Sequence, residues 1–294
     1  MRKGTNTMKF LVVGVLGLAL CGEVVAAPAV VRVLQAPAWR MHDGSRAALA
    51  IGQELNSGDR IQTGPGARAV LGLAEGSVVK LGENAELALQ DMVVPAADDG
   101  VFKGFLDVVK GAFRFTTTVV GRHREIRAQL HTATIGIRGT DVWGKTEQSR
   151  DFVVLLEGKI AIERDGQSYQ LETANSLFMA PRGQAVQPIG PVNTDDLGRW
   201  AQETEPQAER GIANSDGHFR VYLASYGTAV GAQALIDQLS AAGYAAQLEQ
   251  ATVGGRTWHR DMLTGYATRA DASASAAALR AAFHLTSPWI AGGS

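Results

Sequence analysis

Arg220-Val-Tyr-Leu-Ala-Ser-Tyr-Gly-Thr228 and Arg260-Asp-Met-Leu-Thr-Gly-Tyr-Ala-Thr268 decide the fold of the C-terminal part of the chain. The runs share Arg, Leu, Tyr and Thr at one common offset, and each leads into an alanine-rich stretch, so strand, turn and helix occur twice. In the first run Phe219, Val221 and Leu223 alternate with Arg220, Tyr222, Ala224 and Tyr226, the period of a strand packed on one face. Thr228 is placed to cap a helix with Ala232, Leu235, Ile236 and Leu239 on one stripe, ending at Gly243. Tyr244–Gln250 reads as a second strand. Thr268-Arg-Ala-Asp271 opens a second helix as a capping box, with Ala272, Ala276, Leu279 and Phe283 inward, and Pro288-Trp-Ile290 ends a last strand.

This order is βαββαβ. Two right-handed crossovers lay both helices on one face of the sheet and leave the other face open. On the open face the alternation predicts Arg220, Tyr222, Tyr226, Trp258, Arg260, Met262 and Tyr266. Flat rings suit the apolar face of a sugar, and guanidinium groups donate to hydroxyl, acetamido or carboxylate oxygens. The same aromatics equally suit packing against a linker or a neighbouring domain.

The phrases Phe219-Arg-Val-Tyr-Leu-Ala-Ser-Tyr226, Ala-Ala-Gly-Tyr244, Trp258-His-Arg260 and Thr264-Gly-Tyr-Ala-Thr-Arg-Ala-Asp-Ala272 resemble a SPOR domain. The resemblance implies an RNP-like α+β fold over 216–290 that binds peptidoglycan glycan strands, favouring those without stem peptides. It implies Tyr222, Ser225, Tyr226, Trp258 and Arg260 as glycan-binding residues. Ser225 is carried over from the family's Gly-Ser-Phe position, here Ala224-Ser-Tyr226. Tyr222 stands where the family often has glutamine, and Asp261 where it often has valine; Asp261 falls on the packed face, a place for a bulge or for a partner such as His259.

Upstream, residues 28–188 read as short strands and glycine turns without a helix. Ala67-x-Ala-x-Leu-x-Leu73 and Ser77-x-Val-x-Leu81 alternate around Ala74-Glu-Gly76. Phe152–Leu156 and Lys159–Glu163 flank Glu157-Gly158, and Asp165-Gly166 marks a tight turn. The pattern predicts an all-β domain: a sandwich, a roll or a solenoid. Leu55-x-x-Gly-Asp-Arg-Ile-x-Thr-Gly64, Glu75-Gly-Ser-x-Val-x-Leu81, Ile137-Arg-Gly-Thr140 and Leu156-Glu-Gly158 resemble the periplasmic FecR-type domain, which implies an envelope β-scaffold. Gly58-Asp-Arg60 and Arg138-Gly-Thr140 read as turn residues whose side chains satisfy local backbone groups.

Residues 1–26 read as a cleavable signal peptide: Arg2, Lys3 and Lys9 precede the apolar run Phe10–Leu20, and Val24-Val-Ala26 suits cleavage. The only cysteine, Cys21, lies inside it, and Leu20 is too large for a lipoprotein signal. The run is short for a membrane span, so the expected product is periplasmic, with no stable span after cleavage and the division septum as a place of enrichment. Arg2, Lys3, Lys9 and Glu23 leave with the leader, which moves the net charge of −1 to about −3. That balance argues against nucleic acid as a partner, and Arg122-His-Arg124 with Arg127 reads as a solvated face. Residues 189–215 read as a tether carrying a short helix, Thr194–Ala201, anchored by Leu197 and Trp200.

No HExxH, Gly-x-Ser-x-Gly or cysteine nucleophile occurs outside the leader. Asp98-Asp99 and Asp195-Asp196 are sequence neighbours, not carboxylates facing one bond, and His123, His131 and His259 have no metal-ligand spacing. The expectation is a non-enzymatic protein without cofactor or metal. It binds glycan through its C-terminal domain, with the β domain as scaffold or partner-binding module. The alternative is an envelope signalling or assembly protein whose β domain binds a protein partner while the C-terminal domain only localises it.

Overall fold

The computed structural model describes residues 26–96, 100–117, 123–137 and 139–292. The leader up to residue 25, Asp98-Asp99, Arg122 and Arg138 lie outside the described residues. The β-rich part is two sheets enclosing one core. One sheet runs through 29–35, 68–73, 78–81, the end of 102–116, 141–146, 150–157 and 176–181, each antiparallel to the next. The other runs through 45–48, 38–42, 60–63, 86–93, the start of 102–116, 124–129, 134–137, 160–164 and 167–171.

Phe102–Thr116 belongs to both sheets. It turns between them at Gly111, whose φ is +86° and where a Cβ would sit 2.5 Å from Ala85 Cα, so the corner needs a residue without a side chain. From this corner Leu106 and Val108 of one sheet and Phe113 and Phe115 of the other enter a single core with Leu71, Leu87, Ile135 and Phe178. The expected all-β domain is therefore a two-sheet arrangement closed by a shared strand.

The turn motifs act locally. Asp59 is fully buried; its carboxylate accepts from Asn56 N and Arg40 Nε, each at 2.7 Å, and His42 Nδ1 also lies 2.7 Å away. Glu75 accepts from Ser77 N at 2.9 Å. Both carboxylates satisfy local chain turns, and for Asp59 this is in line with the turn reading of Gly58-Asp-Arg60.

The short helix read within the tether docks through Leu197 and Trp200, and the chain beyond it is packed as well. Helix α1 (Thr194–Thr204) is capped by Asn193, whose side chain accepts from Asp195 N. Trp200 stacks on Trp143 with centroids 5.3 Å apart and planes 4° apart, and Leu197 joins the same cluster on the outside of the β module. Beyond the helix, Glu205 accepts from Lys80 at 2.6 Å and from Arg114 at 3.2 Å, while Lys145 pairs with Glu203 at 3.1 Å. Ile212–Asn214 then adds to strand 29–35 by pairing Val33 with Asn214 and Gln35 with Ile212. Short strands contribute little periodicity, which is why this pairing was not legible in the sequence.

The C-terminal module has the expected order: Phe219–Tyr226, helix α2 (Ala229–Ala241), Gln247–Val253, Arg256–Tyr266, helix α3 (Arg269–Phe283) and Trp289–Ala291. Its sheet runs 247–253, 256–266, 219–226, 289–291, all antiparallel. The second strand starts at Gln247 instead of Tyr244, because Tyr244 drops into the core against Phe283. Both caps form as the sequence predicts: Thr228 accepts from Gly231 N, and Thr268 accepts from Asp271 N and donates to Asp271 Oδ2.

The helix side of this module meets the β module. Ala38 N donates to Gly243 O at 3.0 Å, and Trp39 Nε1 to Ala241 O at 3.1 Å. Gly243, at φ +88°, lies so close beneath Trp39 that a Cβ would fall 2.8 Å from its ring.

Candidate functional site

Strand parity assigns the two faces of the small sheet. Val221, Leu223 and Leu263 lie under the helices in a core with Leu235, Leu239, Ala272 and Leu279. On the opposite face Tyr222 stands across from Met262, Ser225 from Arg260, and Trp289 from Tyr222 on its other side. Glu249 pairs with Arg260, and Ala251 with Trp258, so Trp258 and Glu249 share that face.

Four side chains form its centre. Tyr222 and Trp289 stack with centroids 4.8 Å apart and planes 7° apart. The Arg260 guanidinium lies 5.8 Å from the centroid of each ring, and its Nη1 is 3.9 Å from Glu249 Oε2. Tyr222 donates its hydroxyl to Glu249 Oε1 at 3.2 Å. Covered by these neighbours, Tyr222 is only 6% exposed, whereas Trp289 is 38% exposed and Trp258 half-buried. Trp289 and Arg260 therefore offer the contact surface, with Tyr222 as the support beneath them.

Of the five residues named from the sequence, Tyr222, Ser225, Trp258 and Arg260 occupy the open face. Tyr226 does not. A bulge between Tyr222 and Ala224 inserts Leu223 as an unpaired residue, so parity reverses and Tyr226 pairs with His259 on the helix side. Gly231 of α2 lies against its ring, and burial, followed by the nearby Asp261 charge, raises its hydroxyl pKa. Tyr266 is likewise inside: it is 4% exposed and 2.5 Å from Ser275 of α3, and burial raises its pKa. Trp289 went unrecognised as a site residue, because its place beside Tyr222 depends on pairing between distant strands.

Asp261 lies across from Ala224 on the packed side, fully buried, and neither carboxylate oxygen has a hydrogen-bond partner among the described residues. Desolvation pushes its pKa up to about 6. The bulge lies in the facing strand at Leu223 and leaves Asp261 on the packed side, and neither it nor His259 provides the carboxylate with a hydrogen bond.

Among the described residues no three His, Cys, Asp or Glu side chains gather as a metal site, and no helix is long and apolar enough to cross a membrane. The linker helix, with Leu197 and Trp200, packs on the β module and not on the aromatic face.

Residues 215–290 match the family model of the SPOR domain, and residues 59–161 that of the FecR protein. The chain carries a FecR-matching region followed by a SPOR-matching one. No curated protein matches it. Two crystal structures of a candidate anti-sigma factor from Parabacteroides distasonis ATCC 8503 are similar at a TM-score of 0.41, with 10% and 13% identity. They cover 67% and 76% of this chain and 96% and 91% of the other. SPOR and FecR modules are binding and signalling modules rather than catalytic ones, and the SPOR match coincides with the module that carries the open aromatic face.

Proposed function

We propose that the chain is a non-enzymatic protein of the cell envelope, exported to the periplasm by residues 1–26, that binds peptidoglycan glycan strands on the open face of its SPOR domain. The observation that carries this reading is the Tyr222–Trp289 stack with Arg260 over it, on a sheet face that neither the helices nor the linker covers. An exposed indole supplies a flat apolar surface for a pyranose ring at low entropy cost, and Arg260 and Ser225 supply donors at its margin. The face is shallow, so contact is limited and the affinity of one site modest.

Strands without stem peptides suit such a face best, since side branches would hold the sugar rings off the sheet. The FecR module serves as the scaffold that holds this face, and it offers a surface for an envelope protein partner; septal enrichment follows where stripped strands accumulate.

Co-sedimentation of the full chain with purified sacculi tests the reading, comparing intact walls with walls freed of stem peptides by an amidase. Stronger pelleting with stripped walls supports it. Absence of pelleting with both overturns it and leaves the aromatic face as a protein-binding surface.

A further inference from the structure

The open face continues past Ser225 into a groove that no reading of the sheet face uses. Strand 219–226 pairs with strand 289–291 only through Arg220, Val221 and Tyr222. Beyond Tyr222, that side of Leu223–Tyr226 is an open strand edge among the described residues, with backbone donors and acceptors directed outward. Beside the edge lies a groove of about 570 Å³ between α2 and the turn that follows α3. Leu223, Leu235 and Phe283 give it an apolar floor, while Gln238, Thr286 and Ser287 stand at its polar rim. Ser225 and Trp289 line both this groove and the open face, so one ligand can reach from one to the other.

We propose that the groove receives the acetamido group of an amino sugar in the glycan strand held on the face, an inference that rests on the function proposed above. An acetamido group carries one N–H donor, one carbonyl acceptor and one methyl. A strand edge presents the complementary N–H and C=O, the rim adds hydroxyl and amide partners, and the floor buries the methyl. A sugar with a hydroxyl at the same carbon leaves the floor empty and the edge carbonyl or amide unmatched, and an unmatched polar group is what makes such sites selective. The open edge is four residues long, which suits one amide better than the extended ladder a stem peptide requires.

The test compares two neutral probes on the full chain, the β-1,4-linked N-acetylglucosamine tetramer and cellotetraose, which has the same backbone without acetamido groups. The acetylated tetramer is expected to bind about tenfold more tightly, a difference of ~1.4 kcal/mol. Ala234→Leu, at an exposed position of α2 lining the groove, is expected to bring the ratio to about one with an unchanged melting curve. Gln238→Ala, which leaves the groove open, is expected to lower the ratio by about threefold.

Equal affinities in the parent chain, or a ratio that survives both variants, overturn the groove assignment. So does displacement of the acetylated tetramer by a free stem peptide, which assigns the groove to peptide. Sacculus binding alongside equal tetramer affinities overturns the groove alone; loss of all sacculus and tetramer binding overturns the glycan face with it.

Discussion

Tyr222 and Trp289 are stacked within 7° of parallel although they come from the two ends of the SPOR module, and the interior ring of the pair is the one named from the sequence. The relationship divides the work between them. In the proposed glycan complex Trp289 is the ring that would meet the sugar, while Tyr222 stacks beneath it and, by donating to Glu249, holds the anion that Arg260 faces.

Replacing Trp289 with alanine removes the exposed ring and uncovers Tyr222. Sacculus affinity of the full chain is expected to fall about tenfold, the scale of one aromatic stacking contact, with thermal stability little changed because the ring is 38% exposed. Trp289→Phe is expected to recover most of the loss. An unchanged pelleting isotherm for the alanine variant would remove Trp289 from the site.

Arg260→Ala is expected to weaken sacculus binding by several-fold without unfolding the module, since its side chain is anchored to Glu249 only at 3.9 Å. Arg260→Lys keeps the charge but loses the planar fork, and is expected to recover only part of the binding. Full recovery by lysine would show that Arg260 acts through charge alone.

The alternation around Val221 and Leu223 and the two threonine caps were legible because each depends on neighbours within one or two turns of chain, whereas the surface that receives Leu197 and Trp200, built on Trp143 and Phe152, was not. The reversal at Leu223 was not, since a bulge changes the side of Tyr226 without changing the alternation that precedes it. The place of Trp289 beside Tyr222 and the strand Ile212–Asn214 were missed for the opposite reason: three-residue strands take their positions from partners far along the chain.

Loss of Trp200 tests whether the linker is part of the fold. Trp200→Ala removes the parallel stack on Trp143 and a tilted contact with Phe152, and it is expected to cost about 2–4 kcal/mol in urea unfolding. Limited proteolysis is expected to cut first between residues 189 and 210 in this variant. Equal proteolysis of variant and parent would show a linker whose docking does not depend on the stack.

Asp261 makes stability depend on pH with an unusual sign. Its folded pKa, near 6, is above the ordinary value of 3.8, so between these values the folded chain holds a proton that the unfolded chain has released. Stability from this group therefore falls as pH rises from about 4 to 6, and above 6 the full cost of an unpaired buried carboxylate remains, at most ~3 kcal/mol. Asp261→Asn removes the charge at nearly the same volume. The variant is expected to melt higher than the parent at pH 7.5, with the gap closing as pH drops toward 4. A melting-temperature difference independent of pH would mean that Asp261 ionises without penalty, through a partner reached only when the bulge at Leu223 relaxes.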